Sequence, residues 1–140
     1  MPASKWASSA MAAVLLSAPA AAGPLFDDLG GQPGLVRIVD GLMVRMLRDA
    51  RIAPTLAETN TGRLKRLLVT QLCDLSGGPC RYDGRSMRDA HAGQHLRTAQ
   101  FNAMVEALQD ALDEEGVPFR IQNRLLALLA PMHRDMVDAP

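Results

Sequence analysis

Three histidines and two cysteines carry most of the coordination and redox chemistry open to this 140-residue chain. His91 and His95 stand four residues apart in "SMRDAHAGQH", residues 86–95, and His133 is the third. Neutral imidazole can ligate a metal, so His91 reads either as a ligand or, more simply, as a structural or surface histidine. Cys73 and Cys80 frame "CDLSGGPC". That spacing fits neither a zinc pattern nor the C-x-x-C-H of covalent haem attachment. In an oxidising compartment it suits a disulfide closed over the Gly77-Gly78-Pro79 turn; two separate buried thiols are the alternative. The acid pairs Asp27-Asp28 and Glu114-Glu115 diverge on a helix and read as solvated surface. No G-x-S-x-G, H-E-x-x-H or phosphate loop occurs, so nothing points to protein-only catalysis.

The compartment is read from the first residues. "MPASKWASSAMAAVLLSAPAAAG" has one early Lys5, an apolar run through Ala10–Leu16 and a small-residue ending. Ala20 and Ala22 fit an A-x-A cleavage site, so residues 1–22 are expected to be a signal peptide and residues 23–140 the exported domain, periplasmic or secreted. The run is too short to span a bilayer, and the mature chain is expected to carry no integral membrane segment. Cleavage removes Trp6, the only tryptophan, and Lys5, leaving 14 basic against 15 acidic residues. Without a basic stripe, nucleic acid is not an expected partner. Apolar residues at 48% and charged residues at 21% suit one soluble globular core.

The elements that must position the histidines read as helices. Residues 34–49 place Leu35, Ile38, Val39, Leu42, Met43, Met46 and Leu47 on one face with period 3.6. Residues 63–75 do the same with Leu64, Leu67, Leu68, Leu72 and Leu75. Residues 101–116 carry Phe101, Met104, Val105, Leu108 and Leu112, with Gly116 as the stop. Pro118 is placed to start a last helix over 119–137, and Pro131 to bend it near its end. The segment from Ala53 to Thr61 reads as a loop or short turn. No strand pattern and no internal repeat is evident.

The order of the punctuation is more specific than any single element. "LFDDLGGQPGLVRIVDGLMVRMLRD", "TNTGRLKRLLVTQLCDLSGGPCRYDGRSMRDAHAG", "FNAMVEALQDALDEEGVP" and "LLALLAPMHRDMV" follow one another from about Leu25 to Val137. With two Gly-Gly corners, "YDGRSMRDAH", "GVP" and the late "AP", this order resembles the group I truncated hemoglobins. The resemblance implies an all-α fold, the two-over-two helical sandwich of a truncated globin, with haem as cofactor. The histidine closing the family's M-x-x-A-H stretch is its proximal iron ligand, and it falls on His91. His95 would lie one turn on and near a haem edge, although a solvated polar role suits it better.

The other side of the implied pocket departs from the family. The usual tyrosine of the second helix matches Met43, the polar distal positions match Leu64, Leu67 and Leu68, and the usual stacked phenylalanine matches Leu56. None of these side chains donates a hydrogen bond, which argues against strong retention of dioxygen. Apolar burial of the macrocycle, at roughly 25 cal/mol per Å², still favours haem binding. Among them only Met43 has an atom able to coordinate iron, against the ordinary role of a buried methionine as core filling. Two readings follow. One is an exported haem protein with His91 on the iron and an apolar distal side, open to binding a diatomic gas, passing electrons or carrying haem. The other is a globin-shaped interaction or structural module that has lost functional haem binding.

Overall fold

The computed structural model describes residues 24–138, and the expected signal peptide lies outside them. Among the described residues all regular structure is helical. In chain order it comprises α1 (Leu25–Asp28), α2 (Gly31–Arg48), a 3-10 turn (Ala53–Leu56), α3 (Thr61–Leu75), α4 (Met87–His91), α5 (Thr98–Glu114), α6 (Phe119–Leu129), a 3-10 turn (Ala130–Met132) and α7 (His133–Met136). Helix α2 packs on both α3 and α5, α6 packs against α5, and α4 sits on α7. The two long pairs, α2–α3 and α5–α6, are stacked through α2 and α5.

Periodicity explains this stacking. Leu35, Ile38, Val39, Leu42, Met43 and Met46 form the buried stripe of α2, which meets Ala103, Ala107, Leu108, Ala111 and Leu112 of α5 in one core. The alanines of α5 let the two helices approach closely. Leu47 is not part of that core. It is 47% exposed, on the same flank as the exposed Val36, because its position falls outside the arc turned toward the core. Three ion pairs line the rim between the two helices and the following turn: Arg37–Glu115 (2.7 Å), Arg45–Glu114 (2.7 Å) and Arg51–Glu106 (2.9 Å). The adjacent acids Glu114 and Glu115 do diverge, but each meets its own arginine of α2 rather than water alone. Asp28 likewise pairs with Arg124 of α6 at 2.8 Å. Each such surface pair contributes little by itself.

The helix ends are set by local chemistry. Gly30 and Gly31 turn the chain from α1 into α2 with φ of 88° and 63°, a region that favours glycine. Three residues on, a Cβ at Gly34 would collide with the Leu29 carbonyl oxygen. The Asn60 side chain caps α3 by accepting from the Arg63 N–H at 2.9 Å. The chain is therefore helical from Thr61, and only Ala53–Leu56 of the expected loop forms a tight turn. Gly116 (φ 68°) ends α5, and Pro118 caps α6 from one residue before its first turn. Pro131 lacks an N–H, and the chain passes there through a 3-10 turn into the short α7.

Cys73 and Cys80 form a disulfide, with their Cα atoms 5.7 Å apart. Cys73 is fully buried near the end of α3, so the bond anchors the loop leading to α4. The chain-entropy account gives about 2–3 kcal/mol for so short a closed loop. Reduction with a dithiol should lower the melting temperature by roughly 10 °C. An unchanged transition in protein whose two thiols have been alkylated after reduction would contradict this assignment of stability.

Candidate functional site

The site is built from α3, α4 and the turns around them. Helix α3 has two working faces. Val69, Leu72 and Cys73 are buried in the core. Leu64, Leu67, Leu68 and Gln71 fall on a second stripe, at i, i+3, i+4 and i+7. The three leucines of this stripe are only half-buried. Its direction is given by Gln71, whose amide Nε2 lies 3.4 Å from Sδ of Met87 on α4 and 4.0 Å from Sδ of Met132. The leucines therefore share the face that α3 turns toward α4. Leu56 of the first 3-10 turn, Leu64, Leu68, Met104 and Met132 are half-buried apolar side chains at the edge of the core.

His91 closes α4. Ser86 caps this five-residue helix by accepting from the Asp89 N–H, and Arg88 pairs with Asp135 of α7 at 2.8 Å. The His91 ring is half-buried, and its Nδ1 lies 2.7 Å from the Met87 carbonyl oxygen. A carbonyl only accepts, so Nδ1 carries a proton, and in the neutral ring Nε2 then keeps its lone pair. This is the ring state required of a neutral imidazole ligand whose other nitrogen is held by a backbone carbonyl.

His95 does not share the helix of His91. The helix stops at His91, Gly93 (φ 75°) and His95 (φ 53°) reverse the backbone, and His95 is exposed, with Nδ1 3.7 Å from Asp138. The four-residue spacing is therefore not one helical turn, and the imidazole of His95 belongs to the surface. His133 packs edge-on against Phe101, with Nε2 3.1 Å from the Thr98 hydroxyl, a structural arrangement. Met43 is 1% exposed and enclosed in the core, as a packing residue would be, whereas Leu64, Leu67 and Leu68 stay partly open.

The loop between α3 and α4 is held at Tyr82. Its N–H donates to Asp74 at 2.8 Å and its hydroxyl donates to the Arg85 carbonyl at 2.8 Å. Burial, and then the nearby Asp83 charge, push its phenol above the usual value of 10.0. Elsewhere, a cleft of about 310 Å³ lies between α2 and α3, lined by Val36, Val39, Lys65 and Val69 among others. It opens on the opposite face of α3 from Gln71 and is bridged by the Lys65–Asp40 pair at 2.6 Å. It contains no imidazole. Groups of three or more His, Cys, Asp or Glu side chains that could hold a metal ion are absent among the described residues.

Gln71 is the residue of this site that reading the sequence missed. Its signal was present in its spacing, four residues after Leu67 and three after Leu68. A lone polar residue on an apolar stripe is either exposed or held, and Gln71 is 9% exposed.

Comparison with known proteins agrees with this architecture. The bacterial-like globin family matches residues 24–138. The chain is 37% identical over 93 residues to the group 1 truncated hemoglobin GlbN of Nostoc sp. (strain MUN 8820), covering 66% of this chain and 79% of that one. It is 32% identical over 108 residues to the counterpart from Mycolicibacterium paratuberculosis, covering 77% and 79%. Among solved structures, the truncated hemoglobin from Tetrahymena pyriformis, in the Fe(III) form, superposes with a TM-score of 0.78 at 27% identity, over 81% of this chain and 97% of that one. The cofactor this family implies is haem, and the residues here fit it: an imidazole whose Nδ1 is held by a carbonyl, which leaves Nε2 for an iron, and half-buried aliphatic side chains on the face that α3 turns toward α4. The chain belongs to the truncated hemoglobins, the two-over-two branch of the globins.

Proposed function

We propose that this chain is an exported haem protein that binds a small diatomic gas, with Nε2 of His91 as the proximal ligand and an apolar distal wall of Leu64, Leu67 and Leu68. The observation that carries the reading is the His91 Nδ1–H bond to the Met87 carbonyl, which leaves Nε2 as the available donor. Haem, when bound, supplies an iron able to take a neutral diatomic ligand. The chain's own residues do the rest. Met87 fixes the ring tautomer and its rotation. Leu56, Leu64, Leu67 and Leu68 exclude water and cover the macrocycle with apolar surface. None of these four offers a hydrogen bond to a ligand that gains negative charge, so the site suits weak retention or ligands that stay neutral. Export is supported by the signal-peptide pattern of residues 1–22 and by the Cys73–Cys80 bond, which an oxidising compartment would preserve.

The test is a titration of the purified chain with hemin, followed by reduction. A stoichiometric complex with a sharp Soret band is expected in both oxidation states. Protein that leaves the hemin spectrum unchanged would instead support a globin-shaped module without functional haem.

A further inference from the structure

Gln71 is a buried amide whose donor group faces only two thioether sulfurs, the weakest acceptors among the protein side chains. One of those sulfurs belongs to Met87, and the backbone carbonyl of the same Met87 holds the His91 ring. The links run from α3 across to α4 and then along it: Gln71 Nε2 to Met87 Sδ at 3.4 Å, and His91 Nδ1 to the Met87 oxygen at 2.7 Å. Helix α4 is otherwise fixed by its packing on α7. It is five residues long, it contributes no residue to the buried core, and its pair with α7, Arg88–Asp135, is exposed on the Arg88 side. The second sulfur, from Met132, ties the same amide to the turn that leads into α7, on which α4 rests.

We propose that Gln71 is a positioning residue for His91: its amide, clasped between the thioethers of Met87 and Met132, holds Met87 in place from the distal helix and so sets the tautomer and tilt of the proximal imidazole. The proposal rests on the haem reading for its consequence, because a ring held in this way would present Nε2 in one orientation to a bound haem iron. Its geometric core, the coupling of Gln71 to the His91 ring through Met87, does not need haem. The one hydrogen-bond donor on the pocket stripe of α3 is thereby committed to the proximal side and is not spent on a bound gas.

The experiment uses the full exported chain, with and without haem, as Gln71→Leu, Met87→Leu and the double variant. In haem-free protein, long-range nitrogen–proton NMR of the His91 ring reads the tautomer directly. Wild type should show Nδ1–H as the main form. Gln71→Leu should raise the Nε2–H fraction about two- to threefold, the effect of losing a hydrogen bond at the weak end of the range. Met87→Leu should do the same, and the double variant no more than either single one. In ferrous haem protein the iron–histidine stretching band should shift in the same three variants while the melting temperature changes little. Unchanged ring and stretching signals in Gln71→Leu would overturn the proposal, and so would effects of Gln71→Leu and Met87→Leu that simply add. If wild type takes up no haem yet the tautomer responds as described, the haem reading fails and the positioning role stands.

Discussion

His91→Ala should lower haem affinity by more than about 100-fold, since even partners one shell away from a metal ligand cost 10- to 100-fold when removed. The Soret band of the reconstituted protein should broaden toward that of free hemin. Added imidazole should restore it, which separates loss of a ligand from loss of the fold. His95→Ala and His133→Ala should keep a normal band. His95 is turned away by its left-handed backbone, and His133 is occupied with Phe101 and Thr98. An unchanged spectrum in His91→Ala would mean that the iron is held elsewhere.

The second large effect concerns the distal wall. The native protein should release dioxygen fast, because Leu64, Leu67 and Leu68 offer no donor. Placing an amide there, as Leu68→Gln, should slow release by roughly 10- to 100-fold, the range expected of a hydrogen bond to a charged partner. Stopped-flow displacement by carbon monoxide measures the rate. Met43→Leu provides the companion measurement. A core-packing Met43, consistent with its 1% exposure, leaves a five-coordinate ferrous spectrum unchanged. A ligating Met43 gives a low-spin six-coordinate spectrum that the variant loses. Slow release in the native protein, indifferent to changes at all four positions, would show that the distal wall is made of other residues.

Much of this arrangement is legible in the sequence, and the exceptions have physical reasons. The periodic stripes of α2, α3 and α5 mark the core because a helix with one apolar face has few ways to bury it. The M-x-x-A-H ending singles out His91, and the short Cys73–Cys80 spacing with its glycine turn brings out the disulfide. Periodicity says less about where a stripe ends, and Leu47 falls just beyond the arc that the core covers. It says nothing of where a helix yields to a left-handed turn, so the His91–His95 spacing looks helical although α4 stops at His91. Gln71 is harder still, because its burial depends on two sulfurs distant in the chain, one from α4 and one from the turn after α6.

The core is stitched on one side and clasped on the other. The α2–α5 side carries closely packed alanines and a row of ion pairs, while α4 has no buried residue and is held by a side-chain cap, its packing on α7 with one exposed pair, and one soft contact to sulfur. Such a segment is expected to open at a free energy below that of unfolding the whole domain. Hydrogen exchange checks this: the amides of α4 should exchange sooner than those of α2, and equal rates would contradict it. The Cys73–Cys80 bond ties the loop before α4 to the fully buried Cys73, so this opening should be confined to the chain beyond Cys80. On the haem reading, loading and loss of the cofactor should then follow a rate set by this segment rather than by the stability of the whole core.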